Sequence, residues 1–318
     1  MQFFDAAAVH RHLPFARLMD ALEEAHRGPA PRHQRHITEE PRPEGGHPDI
    51  FIMLPAWQAG EGLGVKLVTS FPGNKERFGI PTVAGLYVWF NGQNGQPEAV
   101  MDGEALIFRK TAADSALGSR MLSRDNSETM LMVGAGSLAP YLIESHAVAR
   151  PSIRRVLVWN RTHAAAEALA EKVRAGGRDA VAVTDLDGAL AEADIVISAT
   201  MASSPIIKGA RLKPGTHVEL IGSFTPQMRE GDDDLLRRAT IFVDSYGTTE
   251  RSGDFLDPLA RGVITIDDVA GDYTALCTGR IPGRTSADEI TLLKNGGGSH
   301  FDYWTAREVI RSAAAEGP

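Results

Sequence analysis

The stretch "MLMVGAGSLAPYLIESHAVARPSIRRVLVWNRT", residues 130–162, decides the fold of this 318-residue chain. A short apolar run, a strand in appearance, leads into Gly134 and Gly136, with Ala139 three residues later at the start of a helical segment. In a G-x-G-x-x-A turn between strand and helix, the first glycine permits the tight turn and the second lets backbone amides approach a pyrophosphate. The small third residue lets the helix pack closely on the strand. The helix start at Ser137 and Leu138 then points its partial positive charge at the phosphates, and Pro140 is tolerated where the first turn has no use for its missing N–H. A second apolar run, "RRVLVWN", ends in Asn160-Arg161-Thr162 where an NAD-binding turn carries Asp or Glu for the ribose hydroxyls. A carboxylate there would repel a 2′-phosphate. Arg161 can pair with one, and Asn160 and Thr162 can donate hydrogen bonds, so the turn predicts NADP(H) as the preferred cofactor with NAD(H) as the second. A purely local role for Asn160 and Thr162, as caps of the next helix, is compatible with this reading.

Outward from this motif the pattern changes near residue 125. After it, short apolar strands alternate with helices ("ADIVISAT", "HVELIGS" and "TIFVDS" among them), the mark of a parallel sheet covered on both faces. Before it, β-rich runs at 49–57, 63–71, 82–91 and 97–103 follow one another through turns such as "PGN" and "NGQNGQ", which predicts an antiparallel or mixed sheet, closed by a helix over about 111–123. The C-terminal helix is expected to cross back to this first part. The expected fold is therefore α/β: a Rossmann doubly wound domain (125–299) that binds NADP, inserted in a second α+β domain (1–124 plus 300–318) for substrate binding and dimerisation.

Composition narrows the function. The formal charge is 33 minus 41, or −8, with no basic run able to follow a phosphate backbone, so nucleic acid is not an expected partner. No apolar run approaches the roughly 20 residues of a membrane span, and the N-terminus reads as a short strand and an amphipathic helix rather than a signal peptide, which makes the cytoplasm the expected compartment. The single cysteine, Cys277, allows no intramolecular disulfide and reads as a buried apolar residue. The pairs His10/His12 and His33/His36 lack a third ligand at useful spacing, so no metal is expected. Asp232, Asp233 and Asp234 read as the acidic start of a helix.

Taken together, "MLPAW…GVKLVTSFPGN", "KTAADSALGSRML", "VGAGSLAPYLI…VWNRT", "GSFTPQMRE" and "NGGGSHFD" resemble the ornithine cyclodeaminase/mu-crystallin family, in order and over nearly the whole chain. The resemblance implies a homodimer and a site with residues from both domains. It makes Lys66, in "GVKLVT", the active-site lysine, whereas from its position alone Lys66 reads as a snorkelling strand-end residue. Where the family carries Arg before "TAA", this chain has Lys110, which keeps the charge and loses the planar fork; Arg109 precedes it. Lys110 is the expected substrate-carboxylate group, joined by Arg32, with Arg35 as the alternative; Phe224 and Gln227 are the expected substrate neighbours. Thr111, Thr200, Ser223, Lys294 and Gly296 are expected beside the cofactor, the last two in a glycine-rich lip, "KNGGGSH".

The family's cyclodeaminases have an aspartate in the turn that here reads "GSFTP", where Ser223 or Phe224 stands and neither is a base. That loss and the NADP-type strand end both point to net reduction. The expected activity is NADPH-dependent reduction of 1-pyrroline-2-carboxylate or 1-piperideine-2-carboxylate. The alternatives are ornithine cyclodeamination, an amino-acid dehydrogenase of the alanine dehydrogenase type, and a non-catalytic crystallin-like nucleotide-binding protein.

Overall fold

The computed structural model describes residues 1–42 and 48–316. The chain divides into two compact units, Met1–Thr111 with Gly298–Pro318, and Ala112–Gly297. Residues 43–47 and 317–318, assigned above to the first domain, lie outside the described residues.

The first unit begins with β1 (Gln2–Phe4), α1 (Ala6–His12) and α2 (Phe15–Arg27). Pro14 separates the two helices, because it has no amide to donate and its ring disfavours helical geometry in the residue before it. Then come β2 (Arg32–His33), β3 (His36–Glu40), β4 (Asp49–Gln58), β5 (Gly62–Ser70), α3 (Asn74–Phe78), β6 (Val83–Asn91), β7 (Pro97–Asp102) and α4 (Gly103–Leu122). The sheet order is β1-β7-β6-β5-β4-β2, with β3 also on β4, and every pairing is antiparallel except β1 with β7. The "NGQNGQ" turn works as its residues dictate: the Asn91 side chain accepts from the amides of Gln93 and Asn94, and Gly95 takes a positive φ of 73°. Helix α4 starts at Gly103, earlier than the sequence pattern indicated, because Asp102 caps it by accepting from the Ala105 amide at 2.8 Å.

The second unit holds β8 (Thr129–Val133), α5 (Ala139–Ala149), β9 (Arg155–Trp159), α6 (His163–Ala175), β10 (Asp179–Ala182), α7 (Leu186–Glu192), β11 (Ile195–Ser198), β12 (His217–Leu220), α8 (Asp233–Arg238), β13 (Ala239–Val243), α9 (Gly253–Ala260), β14 (Val269–Asp272), α10 (Tyr273–Cys277) and β15 (Ile290–Lys294). Its eight strands are all parallel, in the order β10-β9-β8-β11-β12-β15-β13-β14. The strands are short and apolar because both faces are buried, as at Leu131, Val196, Val218 and Leu292; each such side chain contributes roughly 1.5–3 kcal/mol. The sequence pattern passed over β15, which sits between β12 and β13. The second half of α4 belongs to this unit: Ser115 donates to Glu219 and Asn295 to Asp114. The division thus falls at Thr111 inside one unbroken helix, where a change of sequence pattern gives no sign.

Returning to the first unit, the chain closes with α11 (Ser299–Glu316), which packs on β4, β5 and α2. Phe15, Leu18, Leu22, Tyr87, Trp89, Phe301 and Tyr303 are buried in this layer. The opposite face of the sheet carries Phe51, Met53, Trp57, Leu63, Val65, Leu67, Leu86 and Val88, and none of these is buried. No described helix is long and apolar enough to cross a membrane.

Candidate active site

In the second unit the strand order turns back on either side of β8, between β9 and β11. Ligands of doubly wound sheets bind at such a switch point, outside the carboxyl ends of the strands, and the glycine turn follows β8 there. Gly134 has φ of 108°, and a Cβ on it would lie 2.5 Å from the Ala199 carbonyl oxygen, so only glycine fits. A Cβ at Gly136 would meet nothing within 4 Å, which leaves the approach to the turn's amides open. Ser137 is exposed, Leu138 is half-buried as the N-cap of α5, and Ala139 is buried.

At the end of β9, Asn160 braces the turn: its Oδ1 accepts from the Ala135 amide at 3.3 Å and its Nδ2 donates to the Thr162 carbonyl at 3.0 Å. Thr162 precedes α6 without a side-chain cap bond, and Arg161 and Thr162 are exposed. The arrangement leaves the guanidinium and a hydroxyl at the rim of a turn that Asn160 holds in shape.

Several expected cofactor residues face inward instead. Ser223 is fully buried, donating to the Met228 carbonyl at 2.5 Å and lying 2.9 Å from the Ser252 hydroxyl, so its side chain ties a loop together. Lys294 is no part of a surface lip: it ends β15 fully buried, with Nζ 3.2 Å from Asp254 Oδ2. The Gly296 amide donates to Asp244 Oδ2 at 2.9 Å, and a Cβ there would lie 2.3 Å from the Thr248 hydroxyl oxygen, so Gly296 is glycine because of Thr248. Phe224 and Gln227 are exposed, and Thr200, half-buried after β11, donates through amide and hydroxyl to Glu230. Glu230, at the end of "GSFTPQMRE", carries no role that its local sequence reveals.

The first unit holds a separate polar cluster. Lys66 projects from the inward face of β5, and its Nζ lies 2.7 Å from Oδ2 of Asp302 in the first turn of α11. Burial pushes the Lys66 ammonium below its usual range; Asp302 pulls it back up, and the charges of Lys110 and Arg35 push it further down. Lys110, only 4% exposed, sits with Nζ 4.9 Å from the Phe301 ring centroid, and Thr111 follows it half-buried on α4. Tyr87, the cross-strand partner of Lys66, is held neutral well above its usual range by burial and by Asp302. Arg109 points elsewhere, donating to His10 Nδ1 at 3.0 Å and stacking on Phe15 at 4.3 Å, so it does not replace the family arginine.

Strand register separates the two candidate arginines. Arg32 pairs with Trp57, and cross-strand partners share a face. Trp57 lies an odd number of residues from Leu54, the partner of Lys66, so Arg32 and Trp57 project from the side of the sheet opposite Lys66. Arg35, the alternative, is the one whose charge acts on Lys66. Asp302 closes the family motif "NGGGSHFD", but its local sequence reveals no role for it. Among the described residues, no group of three or more His, Cys, Asp or Glu side chains is arranged to hold a metal ion.

The sequence profile of the ornithine cyclodeaminase/mu-crystallin family matches residues 2–317. The chain belongs to this family. One member, the Delta(1)-pyrroline-2-carboxylate reductase of Paracoccus denitrificans, is 43% identical over 275 residues, covering 84% of this chain and 87% of that one. Among solved structures, the Thermococcus litoralis Delta(1)-pyrroline-2-carboxylate reductase in complex with NADH and L-proline aligns with a TM-score of 0.88 at 25% identity, over 100% of this chain and 98% of that one. An archaeal alanine dehydrogenase dimer with bound NAD aligns with a TM-score of 0.87 at 26% identity, over 99% and 97%. The ornithine cyclodeaminase/mu-crystallin fold, with its Rossmann-type parallel sheet, is therefore the fold of this chain.

Proposed function

We propose that the chain is an NAD(P)H-dependent reductase that converts a small cyclic imino acid, 1-pyrroline-2-carboxylate or 1-piperideine-2-carboxylate, to the cyclic amino acid. The observation that carries this reading is the cluster in the first unit, where Lys66 Nζ lies 2.7 Å from Asp302 Oδ2 and the charges of Lys110 and Arg35 also act on Lys66. An anionic carboxylate on a small substrate suits such a group. The similarity to a pyrroline-2-carboxylate reductase at 43% identity, and to one whose structure contains NADH and L-proline, supports the same chemistry.

The nucleotide would be held by the amides of the turn from Gly134 to Ala139, with Arg161 on its ribose side; the missing carboxylate at the end of β9 and the exposed guanidinium favour NADPH over NADH. When bound, the nicotinamide supplies the hydride that reduces the imine carbon. In this reading Lys110 and Arg35 hold the substrate carboxylate, and Lys66 hydrogen-bonds the imine nitrogen and gives it a proton. Ornithine cyclodeamination fits less well, because the turn after β12 offers the occupied hydroxyl of Ser223 and the ring of Phe224 where a carboxylate base would be needed.

The outward apolar face of the first unit's sheet fits a homodimer, in line with the dimeric alanine dehydrogenase neighbour. The deciding experiment follows nicotinamide absorbance with each cyclic imine and with NADPH and NADH in turn. Rapid NADPH oxidation with either imine, abolished in Lys66→Ala while nucleotide still binds, is the expected result. Release of ammonia from ornithine with no imine reduction would replace this reading with the lyase.

A further inference from the structure

We infer that Asp302 is the positioning residue for the proton donor of this reaction, holding the Lys66 ammonium in place and charged so that it can protonate the reacting nitrogen. The inference rests on the reductase reading above. Its basis is a buried contact between two elements distant in sequence: Lys66 Nζ, on β5, lies 2.7 Å from Asp302 Oδ2, on α11, and the two side chains are only 13% and 1% exposed. An ammonium with so little access to water would lose its proton unless a partner compensated the lost hydration.

Among the described residues, charged and titratable groups from four parts of the first unit lie beside Lys66. Lys110 from α4 and Arg35 from the connection between β2 and β3 are cations, and each disfavours a third positive charge beside it. Tyr87 from β6 is a neutral phenol. Asp302 from α11 is the one group among them that favours the charged lysine. The second carboxylate oxygen, Asp302 Oδ1, and the Tyr87 hydroxyl are both buried without a hydrogen-bond partner. The carboxylate is engaged through Oδ2 with Lys66, and this pairing offsets part of the cost of burying it with Oδ1 unpartnered.

The chemistry needs one proton for each turnover. As the imine carbon gains its C–H bond at the expense of the reduced nicotinamide, the π electron pair of C=N passes to nitrogen. An N–H bond forms there while one Nζ–H bond of Lys66 breaks, and the neutral lysine regains its proton from water. Asp302 touches no reacting atom; it keeps Lys66 aimed and charged between turnovers.

A contact that merely pins α11 to β5 would affect stability alone, so the test reads the charge on Lys66 directly. In wild-type protein carrying 13C at the lysine ε-carbon, the Lys66 resonance, assigned by its loss in Lys66→Arg, is expected to report an ammonium at the pH of the activity assay. In Asp302→Asn it should titrate at least about one pH unit lower, and the alkaline limb of kcat should move with it, about tenfold in rate for each unit, with nucleotide affinity unchanged. Asp302→Glu should restore most of the wild-type profile. A wild-type Lys66 already neutral at about pH 7, or an Asp302→Asn protein with an unmoved titration, overturns the inference. If wild-type protein reduces neither cyclic imine, the reductase reading fails by itself, and the resonance still decides whether Asp302 keeps Lys66 charged.

Discussion

Glu230 Oε1 accepts hydrogen bonds from both the amide and the hydroxyl of Thr200, at 2.7 and 2.8 Å. The same oxygen accepts from Ser198, and Oε2 from the Gly222 amide, so one buried carboxylate fastens the chain leaving β11 to the chain leaving β12. Asp254 in turn accepts from the Glu230 and Gly231 amides. These strand ends are where a doubly wound sheet meets its ligand. Glu230→Ala should strand several buried donors at about 1–3 kcal/mol each and weaken nucleotide binding. Glu230→Gln should be milder, since its carbonyl can serve Thr200 and Ser198 while its amide opposes the Gly222 N–H. Thermal unfolding and nucleotide titration of the two variants check this; equal, negligible effects would remove Glu230 from loop positioning.

Arg161 is exposed at the end of β9, beside the turn that Asn160 braces. If it meets the 2′-phosphate, Arg161→Ala should raise KM for NADPH about tenfold, the worth of one charge-assisted contact, and leave KM for NADH almost unchanged. Steady-state kinetics with the two cofactors decides it. The same rise for both would assign Arg161 to something other than the 2′-phosphate.

Arg35→Ala should raise KM for the imino acid by roughly tenfold or more, with nucleotide affinity intact, because Arg35 is the arginine whose charge reaches Lys66. Arg32→Ala, on the opposite face with Trp57, should leave KM near the wild-type value. The reverse pattern would restore the assignment made from sequence alone.

That reversal shows what could be read from the chain before its fold. The four long strands of the first unit, the glycine turn and the alternation of the second unit were legible because each is written in neighbouring residues: alternating or continuous apolar runs, and turn residues between them. Arg32 against Arg35 was not, because strand parity depends on register with β4, which no local pattern records. Asp302 and Glu230 escaped for a related reason. Each gains its meaning from partners brought together by the fold, Lys66 for one and Thr200 with Gly222 for the other. Lys294 misled in the opposite direction: beside "NGGG" it looks like a loop residue, yet it closes a buried strand.

Burial holds His26 at a pKa of about 4, with its ring against Phe301 and Trp304. The unfolded chain, with a histidine near its ordinary 6.5, binds more protons than the native state between those values, so stability is full above about pH 6.5 and falls as the pH drops toward 4. The loss assigned to this one residue is about 3 kcal/mol. Denaturant unfolding across that range should show it, and His26→Leu should flatten the slope there. An unchanged slope in His26→Leu would place the acid sensitivity elsewhere.

Trp57 is 55% exposed and Leu86 is 44% exposed, both on the sheet face turned away from α11, with Phe51 and Val88 on the same side. A solvent-facing sheet surface ordinarily alternates apolar residues inside with polar residues outside; here the middle of the outer face, on β4 to β6, is largely apolar as well, with polar residues such as Arg32 and Asp102 at its edges. A second copy meeting this face would be related by a two-fold axis, so each substitution acts twice at the interface. Leu86→Lys with Trp57→Glu should therefore convert a dimer to monomers at micromolar concentration while far-ultraviolet circular dichroism stays unchanged. Sedimentation velocity reads the outcome. A wild-type chain that already sediments as a monomer, or a double variant that remains dimeric, would rule out this face as the subunit contact.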